Sequence, residues 1–410
     1  MPSSQGHSDE DDDAGGLEMI RQIRSNDPIY RKISSAANEE VGRIAQGSKF
    51  GQEIMTCAFS PDGSLFAWSV GSSTVSVHSV SELLPILSSA ATSSGATAAS
   101  LLQNWAQTQS AAVLSARSQE ANNGKIDLDN GQAVTAIAFG ERGDGVSRRA
   151  SINSYQRFNT KGNLVLAVGL AGGDIKVWDM ATGRIALLLQ DHSDAISSLE
   201  FSRDGSFILV SAAKDKSVNL WDLPDDGNMF HSLIPERGWV QPVRQVAWSP
   251  NGQHIVTVGD GKTALLWELE TFTVVKSLQG HLNDVTGCRF SADGKLLYTS
   301  SLDTRVICWN IQTGQIVGRY EHMTPPPSAI FAAGTNDHEV IGLDVKQSRL
   351  ATICNDGFLR VWDISSEEVK DPIARVEISP DARSLAFAPD ERSIAIGCQG
   401  GFLQFYSFPE

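Results

Sequence analysis

Five tryptophans sit at one place in five near-identical segments, IKVWD, VNLWD, ALLWE, VICWN and LRVWD. Trp178, Trp221, Trp267, Trp309 and Trp362 follow one another at steps of 43, 46, 42 and 53 residues. A period of this size means that the chain is built from copies of one unit, and the unit has to be read before any single strand. Upstream of the Trp segments, an alternation of apolar and polar residues runs into a turn: CAFSPDG (57–63), LEFSRDG (199–205), VAWSPNG (246–252) and CRFSADG (288–294). Asp-Gly and Asn-Gly after a period-2 stretch reverse a hairpin, because Gly or Asn supplies the positive φ of a tight turn. An apolar strand such as FILVSAA or KLLYTSS follows, then a polar turn, then the Trp strand. Each unit is therefore three or four short antiparallel strands.

One such sheet cannot cover its own two faces, so the sheets are expected to stack face to face around an axis and bury one another. The expected fold is all-β, a seven-bladed β-propeller, with units at about 54–87, 134–190, 196–235, 243–279, 285–321, 340–370 and 383–408. The first and last carry His78 and Tyr406 where the others carry Trp. Free ends would expose unpaired strand edges. The last unit has no room for a fourth strand after Tyr406, so Val41–Phe50 is expected to supply it and residues 1–25 to stay outside. The domain reading is a disordered acidic segment at 1–40 and a propeller at 41–410.

The repeat resembles the WD-repeat family over about 350 residues. That resemblance implies a polar ladder joining a His before the first strand, a Ser or Thr in the second, an Asp in the next turn and the Trp. It is complete in the third unit (His192, Ser211, Asp215, Trp221) and the fifth (His281, Thr299, Asp303, Trp309). The sixth keeps Thr352, Asp356 and Trp362, with Asn336 at the His position. Units one, two, four and seven have Ser72, Gly172, Gly261 and Gly400 at the Asp position and are expected to rely on packing alone. A buried Asp is tolerable only when hydrogen-bonded, which gives the ladder a structural role. A His-Ser-Asp set that recurs from blade to blade is not a single catalytic site, so no catalysis and no cofactor are expected.

Charge narrows the partners. With 48 acidic against 33 basic residues the net charge is -15, which argues against nucleic acid, and no run of ~18 apolar residues spans a membrane. Cys57, Cys288, Cys308, Cys354 and Cys398 lie far apart without metal-ligand spacing and read as small buried hydrophobes. The N-terminus carries Asp9–Asp13, all acidic, where a secretory signal needs basic and then apolar residues. A cytoplasmic or nuclear protein with protein partners is the expectation.

Two insertions interrupt the period. One, at 88–131, is Ala/Ser/Gln-rich, and Leu101, Leu102, Trp105, Ala112 and Leu114 fit either one face of a short docking helix or a mobile loop. The other, at 141–162, holds Arg148-Arg149-Ala150-Ser151, a basophilic kinase pattern with Ser151 as phosphosite, or a chance match. Turns before the first strand and between the second and third form the usual docking face of propellers. Trp239, Arg237, Lys214, Leu302, Asn355, His322 and Pro326 are the candidate protein contacts there. Trp239 stands out because it is off the Trp register, and a ring buried against a neighbouring blade is the competing reading.

A closer resemblance rests on FAWSVGSSTVSV (66–77), SINSYQRF (151–158), FILVSAAKDKSVNLWDLPDDGNM (207–229) and TPPPSAIFAAGTNDHEV (324–340). These segments resemble the WD-repeat and SOCS-box proteins. The Asp225–Met229 linker and the Pro325–Pro327 loop tell most, since no propeller repeat requires them. The resemblance implies a substrate receptor for cullin-RING ubiquitin ligases, with a SOCS box holding Elongin B/C and a cullin. The sequence runs only Ser407–Glu410 beyond Tyr406, so a recognition half without a recognisable C-terminal SOCS box is expected. The alternative is a non-catalytic scaffold in an assembly unrelated to ubiquitin.

Overall fold

In the computed structural model the described residues are 18–23, 56–70, 73–80, 125–127, 132–141, 164–235, 241–322, 339–365, 371–379, 381–389, 393–398 and 402–407. They form seven four-stranded antiparallel sheets. The first strand of each blade lies beside the first strands of its neighbours, and that of blade one (Cys57–Phe59) lies beside that of blade seven (Ala382–Phe387), which closes the ring. The chain is the seven-bladed β-propeller that the Trp period predicts.

The radial stack follows from where the apolar side chains go. Val177 and Ala167 of blade two share one buried cluster with Leu199, Phe201, Leu209 and Trp221 of blade three. Blades three and four share another through Leu220, Val246 and Trp267, and blades four and five a third through Leu266, Ile307 and Trp309. Each core is thus owned by two sheets, which is why no blade is stable alone. All five cysteines are free and buried within these layers, and burial raises the thiol of Cys57 to about 11 and that of Cys354 to about 12.

The turn after the first strand is repeated atom for atom. Ser60 donates to Asp62 at 2.5 Å, Ser291 to Asp293 at 2.7 Å and Ser249 to Asn251 at 2.7 Å. The glycine that follows has φ of +73° at Gly63, +69° at Gly252 and +71° at Gly294, a conformation that costs other residues steric strain.

Two expectations need correction. The fourth strand of blade seven does come from the N-terminal side, but it is Glu18–Ile23, paired antiparallel with Phe402–Ser407, not Val41–Phe50. Residues 1–25 are therefore not all outside the ring, and 41–50 lie outside the described residues. EMIRQI has no period-2 alternation, its register shifts between Met19 and Arg21, and it lies far from the first repeat, so no local pattern marked it. Blade one is also wider in sequence than 54–87. Its outer strand is Lys125–Asp127, inside the expected 88–131 insertion, so the segment from 81 to 124 joins the third and fourth strands of one blade.

Candidate functional site

The ladders fix the turns at one end of the ring. In blade three Trp221 Nε1 donates to Ser211 Oγ at 2.8 Å, and Ser211 Oγ lies 2.7 Å from His192 Nε2. His192 Nδ1 lies 3.0 Å from Asp215, whose carboxylate also accepts the Ser193 N–H at 2.8 Å. Blade five repeats the wiring: Trp309 to Thr299 at 2.8 Å, Thr299 to His281 at 2.8 Å, His281 to Asp303 at 2.9 Å, and the Leu282 N–H to Asp303 at 2.8 Å. Burial disfavours charge on His192 and holds it below its usual range. Burial also acts to raise Asp215, but hydrogen bonds from Ser217 and Ser193 outweigh it and the carboxyl lies below the usual range. A neutral imidazole receiving the hydroxyl proton at Nε2 and donating from Nδ1 satisfies every partner.

Blade six departs from this pattern and corrects the sequence reading. His322, not Asn336, holds the His position: its Nε2 lies 2.8 Å from Thr352 Oγ1, and Trp362 donates to the same hydroxyl at 3.3 Å. Asp356 pairs with Arg360 within a buried ion pair. His322 is 3% exposed, so it is a ladder residue and not a surface contact. Spacing hid it, because in blade six residues 323–338 intervene in the sequence between the ladder His and the first strand. In blade four Trp267 still donates to Thr257 at 3.0 Å, so that blade keeps half a ladder and does not rely on packing alone. Blade two has Val168 in the corresponding place, and Trp178 Nε1 has no hydrogen-bond partner.

Lys214, Leu302 and Asn355 occupy equivalent turns. Their N–H groups donate to Ala195, Asp284 and Glu339, the residues that lead into the first strands of blades three, five and six. Lys214 is exposed, while Leu302 and Asn355 are half-buried. Asn355 also donates from its side chain to Glu339 at 3.0 Å. Trp239, Arg237, Pro326 and Ser151 lie outside the described residues.

The mouth of the central channel is shaped by a repeated bulge. The first strands of blades two to seven each slip by one residue near their start, at Thr135, Ser197, Arg244, Thr286, Ile341 and Arg383. A bulge re-aims its extra side chain, and all six line a channel of about 830 Å³. Ser197 donates to the Val243 carbonyl at 2.6 Å and Thr286 to that of Val340 at 2.7 Å, each bond crossing to the next blade. Arg244 pairs with Asp260 and reaches Asp284 at 3.5 Å, beside Glu339, whose carboxyl burial raises against the opposing pull of Arg244. The blade-four side of the mouth thus sets a half-exposed guanidinium among three carboxylates, while Arg383 of blade seven lines the same channel.

Sequence reasoning missed two features of this face. Leu282 is 66% exposed and held outward by the bond from its N–H to Asp303, where blade three has Ser193. An apolar residue directly after a ladder His was the available signal. The bulge residues sit at the second position of the first strands of blades two to seven, but Thr, Ser, Arg and Ile share no one residue type that would mark them in the sequence.

Comparison with known proteins fits this architecture. The WD domain, G-beta repeat, matches residues 183–222, 233–268 and 272–310. WD repeat and SOCS box-containing protein 1 of Xenopus tropicalis is 36% identical over 88% of this chain and 83% of its own length. The chain belongs to the WD repeat and SOCS box-containing family. The protein of the same name from Homo sapiens is 36% identical and that from Danio rerio 37% identical, with the same coverage. For this member of the WD repeat and SOCS box-containing family, no helix among the described residues is long and apolar enough to cross a membrane.

Proposed function

We propose that this propeller is the substrate-recognition subunit of a cullin-RING, Elongin-type ubiquitin ligase, and that it binds its target protein across the ladder end without catalysis of its own. The observation that carries this reading is the 36% identity to WD repeat and SOCS box-containing protein 1 over 88% of the chain. The face supports it physically. Rigid ladders in blades three, five and six position turns whose side chains are free to vary, which is how a scaffold separates stability from specificity. Leu282, Arg244 and Lys214 are the contacts of the proposed surface among the described residues. Trp239 and Arg237 (residues 236–240) and Pro326 (residues 323–338) are proposed to complete it. The described residues on either side of 323–338 are fixed, His322 in its ladder and Glu339 on Asn355. Specificity is proposed to rest on an apolar anchor at Leu282 with the carboxylates Asp260, Asp284 and Glu339 around Arg244 nearby, which suits a target segment pairing a hydrophobe with a polar or charged residue.

The test is affinity capture of the full chain from its own cells, followed by mass spectrometry. Elongin B/C and a cullin in stoichiometric amounts support the ligase role. Other proteins without an adaptor would leave the propeller as a scaffold unrelated to ubiquitin. The double change Trp239→Ala with Arg237→Ala is expected to abolish target capture without unfolding the ring, and intact capture would move the docking surface elsewhere.

A further inference from the structure

Midway along the channel the seven first strands are not alike. One residue beyond the position opposite the ladder Ser or Thr, or its counterpart, blades one, two, four and seven carry Ala58, Ala138, Ala247 and Ala386. At the same register blades three, five and six carry Glu200, Arg289 and Asp344. These three line the channel. Two carboxylates thus share one layer with a single guanidinium, in a ring whose other members at this height are alanine.

The two acids are held differently. Asp344 accepts from the Phe387 N–H at 2.9 Å on one oxygen, and from the Val345 N–H at 3.0 Å and Arg289 Nε at 3.3 Å on the other. Its charge is bonded on both sides. Glu200 has no such set: its Oε1 lies 3.7 Å from the exposed Arg203 guanidinium, and its Oε2 is buried without a hydrogen-bond partner among the described residues. Trp248, placed on blade four as Phe387 is on blade seven, donates from its ring to the Glu200 carbonyl at 3.2 Å. Arg289 attracts the Glu200 carboxylate through space and is bonded to Asp344.

Burying an ionised oxygen to which nothing donates is costly, and a carboxyl escapes that cost by holding a proton. We infer that the layer is an acid-sensitive switch in which Asp344 is the standing counter-ion of Arg289 and Glu200 is the member that takes up a proton, so that mild acid removes one negative charge from the channel wall without weakening the ring. The groups that act on Glu200 set the direction. Burial raises its carboxyl above the ordinary range; Arg289, Arg203 and the Trp248 N–H pull the other way, and Asp344 adds to the effect of burial. Blades two and four, which flank it, present only Ala138 and Ala247 at this height. An acid raised in the fold binds its proton more readily folded than unfolded. The stability this gives is complete below the unfolded value and is lost as pH rises through the folded one, so the ionised form is the less comfortable of the two.

Carboxyl NMR of the full chain, labelled with carbon-13 at glutamate, tests this, with Glu200 assigned by the resonance that Glu200→Gln lacks. Its midpoint is expected above the ordinary glutamate value of about 4.3, and a midpoint at or below that value would overturn the inference. Arg203→Gln alters an exposed side chain and should raise the midpoint further, while Asp344→Asn should lower it, because Arg289 then serves one acid in place of two. A midpoint unmoved by Arg203→Gln or by a folded Asp344→Asn would also overturn it. Urea unfolding gives a readout that does not depend on the assignment. Glu200→Gln is expected to raise the urea midpoint at about pH 7.5, the gain vanishing as pH falls through the folded value. A lower urea midpoint at neutral pH would show that ionised Glu200 holds the ring together, and the switch would fall.

Discussion

Blades five and six use the same four positions to different ends. In blade five the acid serves the histidine: Asp303 accepts from His281 and from the Leu282 N–H, and the chain from Trp309 to the turn is unbroken. In blade six the acid serves an arginine. Asp356 is paired with Arg360, whose guanidinium also donates to the His322 carbonyl at 3.3 Å, and His322 Nδ1 is left without a hydrogen-bond partner. The ladder is therefore not a fixed unit but a set of buried polar groups that must be satisfied in some closed arrangement. Blade six reaches closure with an ion pair, and the difference sets how each blade fails.

The largest effect is expected from Asp356→Ala. Its partner Arg360 has a side chain only 6% exposed, and removing the carboxylate leaves a buried charge uncompensated. A loss of about 3–5 kcal/mol in urea unfolding is expected, largely restored by adding Arg360→Leu. Failure of the second change to recover stability would mean that the pair is not what holds blade six. Asp303→Ala breaks a network that holds no guanidinium and should cost less, about 1–3 kcal/mol, because an imidazole and the Leu282 and Arg305 N–H groups lose their acceptor. Equal losses in the two blades would dissolve the contrast.

The same contrast explains what the sequence could reveal. The Trp period, the Ser-x-Asp-Gly turns and the two regular ladders were legible because each is a short-range pattern repeated at constant spacing. His322 was not, since residues 323–338 separate it in the sequence from the first strand of its own blade and a fixed offset lands on Asn336. Glu18–Ile23 escaped for a like reason: it pairs with Phe402–Ser407 across almost the whole chain, and no local pattern specifies so distant a partner. Of the candidate surface, turn positions such as Lys214 could be read from the repeat. The bulge that turns Arg244 into the channel mouth depends on register between two strands, which residue types alone do not carry.

Acid separates the blades further. Burial, helped by the Arg360 cation, lowers His322 to about 3, with Asp356 opposing. The folded histidine therefore stays neutral where the unfolded one, near 6.5, takes a proton. Folding then binds fewer protons, so this contribution is complete above about pH 6.5 and is lost as pH falls toward the folded value. Between pH 6.5 and 4 the stability advantage of the wild type over His322→Gln is expected to shrink by up to ~1.4 kcal/mol per pH unit. His78, which burial lowers to about 4, and His192 act in the same direction, and subtracting the variant removes their share. An advantage independent of pH would show that His322 takes up protons alike in the folded and unfolded chain, and that burial beside Arg360 does not exclude its charge.

The smallest effect on stability should carry the largest effect on binding. Leu282 is exposed and bonds to Asp303 through its backbone N–H, so Leu282→Ser leaves that link in place and should change unfolding by less than ~0.5 kcal/mol. It would turn the blade-five turn into a copy of blade three, which has Ser193 there. If the ladder of blade five serves to present an apolar anchor, capture of the target should fall by roughly 30-fold or more in a titration with the isolated partner, the loss typical of a central hot spot. Undiminished capture would make blade five a structural element only and move the proposed anchor to residues 323–338, between His322 and Glu339 of blade six. The distinction does not depend on the ligase reading, because it asks only which of two similarly built blades touches the protein partner.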